Sequence, residues 1–448
     1  MRDNMSPSKP AALIIGAGIA GIQAALDIGD AGYPVYLVER EPSVGGRMSQ
    51  LDKTFPTLDC SSCILTPKMV DVGRHPNIEL LTYSEVISLE KEDDLFRAQV
   101  RKKPRYVDMD KCTGCGACAD ACRMKGRVVS GFNEGISKRS AIYVPFPQAI
   151  PLKYTVDPNS CLMLTLGRCG KGPLCQEACT AGAIDFEQQE EILDIEVSTV
   201  IVATGYDLID PHVKPEFAYG VYPEVMTGLE FERLSSASGP TLGKILINGK
   251  EPKDVVFIQC VGSRDPHTGV PYCSRICCMY TAKHAHLVRD KVPDANITVF
   301  YMDVRAFGKG YEEFYDRVKH ERVIYRRGEP SEIYRQNGRL VVLAEDTLLG
   351  QPIEVEADLV VLATAVVPRA DAAEVATQFG LERSPDGFFQ ETHQTHPVDT
   401  GQEGIFIAGC AQGPKDIPDT VAQAKAAASS ALITLARRER EIATEGKQ

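Results

Sequence analysis

Long apolar runs are missing from this chain of 448 residues, and with them the simplest sign of a membrane protein. The most apolar stretch, residues 11–26, is interrupted by glycines, and no window approaches the length of a membrane span. Residues 1–10 are polar and lack the apolar centre of a signal peptide, so we expect an unstructured lead. The net charge of −12, from 61 acidic and 49 basic side chains, argues against a nucleic-acid or anionic-membrane surface.

Patterns for hydrolysis or for a histidine-bound metal are also missing. The eight histidines form no metal-ligand motif, and we expect His284 and His286 to pack or cap within a helix. No Ser-His-Asp arrangement and no pair of hydrolytic carboxylates stands out. The charged run at residues 437–441 is typical of the solvated end of a helix. The patterns that remain are formed by cysteines and glycines.

Cysteine is abundant, with 15 residues, and in the absence of an export signal this indicates reduced thiols or metal ligands in a cytoplasmic protein. One group starts with a C-x2-C-x2-C-x3-C run at residues 112–122 and ends at residue 179. In bacterial two-cluster ferredoxins, the last cysteine of such a run binds the neighbouring cluster. This overlap predicts two [4Fe-4S] clusters, one held by Cys112, Cys115, Cys118 and Cys179, the other by Cys122, Cys161, Cys169 and Cys175. A zinc ribbon is the alternative, because CxxC pairs also bind zinc and the second set is less regular.

A dinucleotide-binding fingerprint opens the chain. A predicted strand at residues 11–15 leads into Gly16, Gly18 and Gly21, which are followed by a helix and a second strand that ends at Glu39. Glycines in this context let a pyrophosphate approach the start of the helix, and the acidic residue binds a ribose hydroxyl. Because Arg40 follows Glu39, this motif alone does not decide which dinucleotide is bound.

Three later segments resemble parts of FAD-binding proteins. Residues 45–48 resemble the segment that continues along FAD, and residues 203–206 resemble the ATG motif of two-dinucleotide-domain flavoproteins. Residues 404–409 form a predicted strand at the position where that superfamily closes over the flavin, although an ordinary buried strand has the same pattern. Together these segments favour FAD. The residues assigned to it are Gly16, Gly18, Gly21, Glu39, Arg40, Gly46, Arg47, Met48, Thr204, Gly205 and Gly409.

The order of these motifs predicts an α/β fold of the two-dinucleotide-binding-domain flavoprotein type, similar to thioredoxin reductase, with an inserted ferredoxin-like iron–sulfur domain. Short apolar strands at residues 255–258, 297–300 and 359–362 indicate the second α/β domain. We expect the FAD-binding domain at residues 1–106, 187–252 (with a linker) and 366–448 (with a C-terminal helix), the insertion at residues 107–186, and the second α/β domain at residues 253–365.

The second α/β domain lacks the glycine fingerprint that would bind NAD(P)H. Its first strand runs into residues 260–264, Cys-Val-Gly-Ser-Arg, without the close glycine pair that a pyrophosphate needs. A second cysteine group takes its place, made of Cys260, Cys273, Cys277 and Cys278. Free cysteines also behave as small buried hydrophobes, but adjacent cysteines within a group of four favour ligation.

With this cysteine group, the chain resembles the HdrA family of heterodisulfide reductase proteins over residues 11–431. Three further segments carry the resemblance: DCSSCILTPKM at residues 59–69, GKGYEEFY at 308–315 and GPKDIPD at 413–419. It implies a third [4Fe-4S] cluster on the second cysteine group, FAD contacts at Asp416 and Ile417, and a catalytic lysine, Lys283, near the isoalloxazine. By itself, Lys283 also fits a solvated helix lysine. Archaeal members commonly carry extra N-terminal and C-terminal ferredoxin domains, so we expect a compact form.

The resemblance implies an oxidoreductase with FAD and three [4Fe-4S] clusters that serves as the electron-transfer subunit of a heterodisulfide-reductase-like complex. Flavin-based electron bifurcation is one form of this function. The alternatives are a non-bifurcating relay or scaffold protein, and a flavin disulfide oxidoreductase. We expect other subunits and electron-donor or acceptor proteins as partners, a homodimer within a larger complex, and neither nucleic-acid binding nor membrane insertion.

Cys60 and Cys63 allow three interpretations. They lie 44 residues or more after the first glycine, about where flavin disulfide reductases place their redox dithiol. They fit a reversible disulfide beside FAD, ligands of a cluster shared with a partner, or a structural pair. The missing NAD(P)H fingerprint counts against the first, because disulfide reductases of that type use NAD(P)H.

Overall fold

A five-stranded parallel sheet forms the centre of the first of two similar units in the computed structural model, which describes residues 9–445. Its strands follow the order Ile405–Ile407, Thr199–Val202, Ala12–Ile15, Val35–Glu39 and Ile78–Thr82. One face packs against helices Ile19–Asp30, Ser61–Arg74 and Ile417–Glu445, and the other against the antiparallel strands Ser84–Glu92, Leu95–Lys102 and Glu191–Val197. The strands are continuous apolar runs because a parallel sheet is buried on both faces.

The second unit repeats this arrangement. Its parallel sheet has the order Val225–Thr227, Leu359–Thr364, Asp254–Val261, Asn296–Tyr301 and Val323–Arg327. One face packs against helices Gly228–Ser235, Cys277–Lys291 and Tyr311–His320, and the other against the antiparallel strands Pro330–Gln336, Arg339–Asp346 and Gln351–Ala357. The predicted strands at residues 255–258, 297–300 and 359–362 are all present, each slightly longer than expected.

The cysteine-rich segment is inserted between two strands of the first unit, Leu95–Lys102 and Glu191–Val197. A bridge between Val107 and Ile184 closes its base, and buried cysteines contribute to its small core. Its elements are helices Ala117–Ala121, Leu162–Leu166 and Leu174–Glu177, and the strand pairs Val128–Val129 with Lys138–Arg139 and Ile142–Tyr143 with Thr155–Val156.

The remaining elements are short. They are helix Ala372–Phe379, the strand pair Asp207–Leu208 with Val366–Val367, and single turns of 3-10 helix at Gly46–Gln50, Pro211–Val213, Pro215–Phe217, Pro266–Thr268 and Gly409–Ala411. No helix in residues 9–445 combines the length and apolarity needed to cross a membrane. The expected lead at residues 1–10 lies largely outside the described residues, and the proposed domain boundaries stay a prediction.

The three glycines of the fingerprint have different surroundings. Gly16 has a φ of +98° and lies against the backbone of residue 203, where a side chain would collide. A Cβ on Gly21 would overlap the carbonyl oxygen of Gly16, so the helix can approach the strand only with glycine there. A Cβ on Gly18 would meet nothing within 4 Å. Two of the glycines therefore serve packing, whereas the third borders open space.

We expect Gly21→Ala to lower the free energy of unfolding by about 3 kcal/mol, because the overlap is with backbone that cannot move away cheaply. Gly18→Ala is the matched control: in protein stripped of bound cofactor, it should leave the free energy of unfolding within about 0.5 kcal/mol of wild type. Thermal unfolding of both variants checks this, and equal losses in the two would contradict the packing role of Gly21.

Candidate cofactor site and cysteine clusters

A single cavity of about 1710 Å³ runs between the two units. It starts at the fingerprint loop, near Gly18 and Glu39, and extends to Ile276 and Lys283 of the second unit. Eleven predicted cofactor residues line it: Gly16, Gly18, Glu39, Arg40, Gly46, Arg47, Met48, Thr204, Gly205, Asp416 and Ile417. Gly21 and Gly409 lie behind the wall instead, because their backbones pack against Gly16 and Ala20.

At the fingerprint end, the geometry fits the pyrophosphate and ribose of a dinucleotide. The open space beside Gly18 borders the start of helix Ile19–Asp30, where free backbone N–H groups favour an anion. Burial raises the pKa of Glu39, while its carboxylate accepts hydrogen bonds from the backbone N–H groups of Ala17 (2.8 Å) and Glu41 (2.9 Å). Gly46, with a φ of +54°, comes close enough to Gly18 for the two loops to share this space.

At the other end, Lys283 lies in the helix Cys277–Lys291, which we call the cysteine helix. Only 1 % of Lys283 is exposed, so the alternative of a solvated lysine is wrong. Its ammonium group contacts the carboxylate of Glu232 and donates to the carbonyl oxygen of Lys53 at 2.8 Å. The catalytic role of Lys283 stays a prediction.

Glu232 collects three donors on one buried carboxylate. Besides Lys283, it contacts Nε2 of His284 at 2.6 Å and accepts a hydrogen bond from the backbone N–H of Asp52 at 3.0 Å. Burial alone would raise its pKa, but Lys283 and His284 outweigh burial and lower it to about 2. Burial lowers the pKa of His284, which favours its neutral form, and the carboxylate of Glu232 forms its ion pair with Lys283.

Glu232 was not among the residues predicted from the sequence. It lies in the short helix Gly228–Ser235, which begins with a capping box of Thr227 and Glu230. An acidic residue on so short a helix is normally exposed. The burial of Glu232 is visible only in the structure, where the whole helix packs between the two units.

Three cysteines of the second group, Cys260, Cys277 and Cys278, lie together at the start of the cysteine helix. Cys260, at the end of strand Asp254–Val261, lies against Cys277, and their hydrogen bond lowers the pKa of Cys260 and raises that of Cys277. Cys278 is buried beside them. Cys273 lies in the loop at residues 262–276, which is held by a 3.0 Å contact between the hydroxyls of Ser263 and Ser274.

This loop also differs from the turn that forms a pyrophosphate site. In a dinucleotide fold the helix follows the strand after a tight glycine turn. Here residues 262–276 separate them, and Gly262 turns with a φ of +72° against the side chain of Ile209.

Cysteines of the insertion lie near one another, and their assignment to two clusters stays a prediction. Cys122, Cys161, Cys169 and Cys175 line one small cavity of about 20 Å³. Burial raises the pKa of Cys118 to about 12, and the nearby thiols of Cys112 and Cys179 add to the rise. Cys115 is exposed. Within residues 9–445, no three Cys, His, Asp or Glu side chains are placed to hold a single metal ion. A cube spreads its thiolates more widely than one ion does.

Two family comparisons agree with these two sites. Residues 105–125 match the 4Fe-4S binding domain, and residues 14–69 match the NAD(P)-binding Rossmann-like domain. This chain is 51% identical to the HdrA protein of the H(2):CoB-CoM heterodisulfide,ferredoxin reductase of Methanothermobacter marburgensis. The alignment spans 436 residues, which is 96% of this chain. This chain is also 54% identical, over 431 residues and 95% of its length, to the iron-sulfur HdrA protein of the CoB--CoM heterodisulfide reductase of Methanocaldococcus jannaschii.

The chain belongs to the HdrA family of heterodisulfide reductase proteins. It spans 65% and 64% of the length of these two relatives. Thioredoxin reductase from Lactococcus lactis has a similar fold, with a TM-score of 0.53 at 15% identity, covering 96% of this chain and all of that one (100%). The predicted fold class, a two-dinucleotide-domain flavoprotein fold with a ferredoxin-like insertion, is confirmed.

In this member of the HdrA family, Cys60 and Cys63 form a disulfide. Cys60 precedes the helix Ser61–Arg74, and its sulfur accepts a hydrogen bond from the backbone N–H of Cys63 at 3.2 Å. Their neighbours Asp59 and Ile64 line the large cavity, whereas Cys63 is exposed. The pair therefore lies at the rim of the cavity.

We expect Lys283→Met to lower the free energy of unfolding by about 3–5 kcal/mol, because Glu232 would remain buried without its cation. The double variant Lys283→Met/Glu232→Gln should lose less, since no unpaired charge is left. Lys291→Met on the same helix is the control and should cost about 1 kcal/mol or less, because the Lys291–Asp52 pair is partly exposed. Thermal unfolding of the holoprotein measures all three. If Lys283→Met lowers the free energy of unfolding no more than Lys291→Met does, the pairing of Lys283 with Glu232 is wrong.

Proposed function

We propose that this protein is an FAD- and [4Fe-4S]-containing oxidoreductase, the electron-transfer subunit of a heterodisulfide-reductase-like complex. One observation carries the proposal: the cavity that begins at the fingerprint loop ends against the cysteine helix, at Ile276, Tyr280 and Lys283. A dinucleotide bound at Gly18 would therefore reach the cysteine group with its distal half. In FAD that half is the redox-active ring.

The chain's own residues supply binding, placement and electrostatics. The fingerprint loop would hold the pyrophosphate, Glu39 the ribose, and the segment at Gly46 the chain leading to the ring. Cys260, Cys273, Cys277 and Cys278 would hold a cluster directly behind Ile276. When bound, FAD exchanges electrons in pairs or singly, whereas clusters carry one at a time. The two cysteine sets of the insertion would extend the path for single electrons.

Partner subunits follow from the same reasoning. The curated relatives are named as subunits of heterodisulfide reductases, and a chain with several electron carriers needs proteins that deliver and accept electrons. We propose such partners, and a homodimer within the complex. Electron bifurcation is the finer form of the proposal, supported by a relative whose name gives both a heterodisulfide and ferredoxin as acceptors.

Metal content tests the cluster assignment. Three [4Fe-4S] clusters predict about twelve iron atoms for each FAD after anaerobic purification. Cys175→Ala should lower this to about eight, because one cluster loses a ligand. Cys410→Ala, which removes a thiol outside the predicted sets, should keep about twelve. Bound zinc without a cluster spectrum would refute the assignment.

Reduction by nicotinamides tests the lost fingerprint. We expect the isolated protein to keep its oxidised flavin spectrum in NADH or NADPH, because residues 260–264 offer no pyrophosphate site. A low-potential one-electron donor is the positive control and should bleach both flavin and clusters. Stopped-flow absorbance follows the reaction, and bleaching that saturates with either nicotinamide would count against the proposal.

A second candidate function rests on the Cys60–Cys63 disulfide at the rim of the cavity. In this alternative, FAD and the two cysteines would exchange an electron pair, as in flavin disulfide oxidoreductases. The double variant Cys60→Ser/Cys63→Ser distinguishes the two. If it transfers electrons between flavin and clusters at the wild-type rate, the disulfide is not on the path. If transfer stops while cofactor content stays normal, the second candidate is favoured.

A further inference from the structure

Lys415 is a buried cation without a carboxylate partner. Only 8 % of the residue is exposed, and its ammonium group lies on the wall of the large cavity. It donates three hydrogen bonds, to the carbonyl oxygens of Gly409 (2.8 Å) and Gly413 (2.9 Å) and to the amide oxygen of Gln412 (2.9 Å). All three acceptors are neutral. Burying a charge in this way is costly unless an opposite charge arrives.

The other cations of the cavity wall differ from Lys415. The charge of Lys283 is cancelled by Glu232, and Arg47 forms ion pairs with Glu134 and Asp207. Arg40, Arg101, Arg139 and Arg369 also pair with carboxylates. Lys53 is partly exposed to solvent. Among the lining residues that the structure describes, Lys415 is therefore the buried cation without a carboxylate in ion-pair contact, although the charges of Asp419 and Glu391 act on it from farther away. Burial lowers its pKa to about 8, in keeping with this environment.

A helix N-terminus adds to the positive potential. The 29-residue helix Ile417–Glu445 begins at the cavity, where Ile417 and Thr420 line the wall. The positive end of its dipole points there. The nearest carboxylate in sequence, Asp416, forms no ion pair with Lys415. It stays charged and accepts hydrogen bonds from the Tyr311 hydroxyl and the Asp419 backbone N–H.

Lys415 lies at the end of the cavity that faces the cysteine helix. It contacts the turn that carries Cys410, whose thiol also lines the cavity. Pro414, next to Lys415, accepts a hydrogen bond from the side chain of Arg275 at 3.2 Å, and Arg275 lies two residues before the start of the cysteine helix. This end is opposite Glu39 and is where the ring of a bound FAD would lie.

We propose that Lys415, together with the first turn of the helix Ile417–Glu445, stabilises the negative charge that the isoalloxazine gains on reduction. Two electrons and one proton convert FAD to FADH⁻, which leaves one negative charge on the ring. The electrons come from a one-electron donor or a partner subunit. The inference rests on the proposal that FAD fills the cavity, and it assigns the positive charge without an ion-pair partner to Lys415, not to Lys283.

The test compares the midpoint potential of the bound flavin in holoprotein with Lys415→Met, Lys415→Gln, Lys415→Arg and the control Lys425→Met. Lys425 lies on the same helix, is exposed and pairs with Asp27, so its variant removes the same charge elsewhere. Anaerobic titration with dithionite and mediator dyes gives the potential, and extracted FAD gives the occupancy. The glutamine amide can still donate to two of the three acceptors and so keeps the turn in place.

We expect the methionine and glutamine variants to bind oxidised FAD but to prefer FADH⁻ at least tenfold less, a potential lower by about 30 mV for a two-electron couple. Lys415→Arg and Lys425→Met should keep the wild-type potential. If Lys415→Gln also keeps it, Lys415 only pins the turn and the inference is wrong. The inference is equally wrong if Lys425→Met lowers the flavin potential as much as Lys415→Met does, or if Lys415→Met and Lys415→Gln both lose FAD. Absence of FAD from wild type would instead overturn the proposed function.

Discussion

The buried carboxylate of Glu232 is the contact on which the arrangement of the two units depends. It binds Lys283 and His284 of the cysteine helix and the backbone of Asp52 in the first unit. The next residue, Arg233, donates to the carbonyl oxygen of Gln50 at 3.0 Å and to the side chain of Asn133 at 2.9 Å. Because buried charges need partners, this single helix turn joins both units and the insertion. The cavity exists because these three parts are held around it.

The electrostatic potential along the cavity depends on which hydrogen-bond or ion-pair partner each buried polar group has. At the fingerprint loop, backbone N–H groups supply weak positive potential without a formal charge. At the cysteine helix, the lysine is cancelled by Glu232, so the charge behind Ile276 is set by the helix N-terminus and the thiols. At Lys415, a formal charge meets only neutral oxygens. The two helices Cys277–Lys291 and Ile417–Glu445 both begin at the same end of the cavity, which favours negative charge there.

Local sequence patterns determined the elements of this protein. The strand Thr199–Val202 and the helix ending at Asp30 occur where apolar periodicity predicts them, and the glycine spacing predicted the fingerprint loop. Cys122 lines one small cavity with three distant cysteines, whereas the assignment of the thiols to clusters stays a prediction. Such patterns are readable because each depends on neighbours within a few residues or on a fixed ligand geometry.

Only the tertiary structure decided which charges are buried and which are cancelled. Glu232 and Lys283 are 51 residues apart in the sequence. Nothing in the sequence around either residue indicates that its side chain is buried. The same holds for Gly409, which packs behind the cavity wall, and for Lys415, which faces it. Burial arises when distant segments pack together, and the cost of a buried charge depends on which partner the packing supplies.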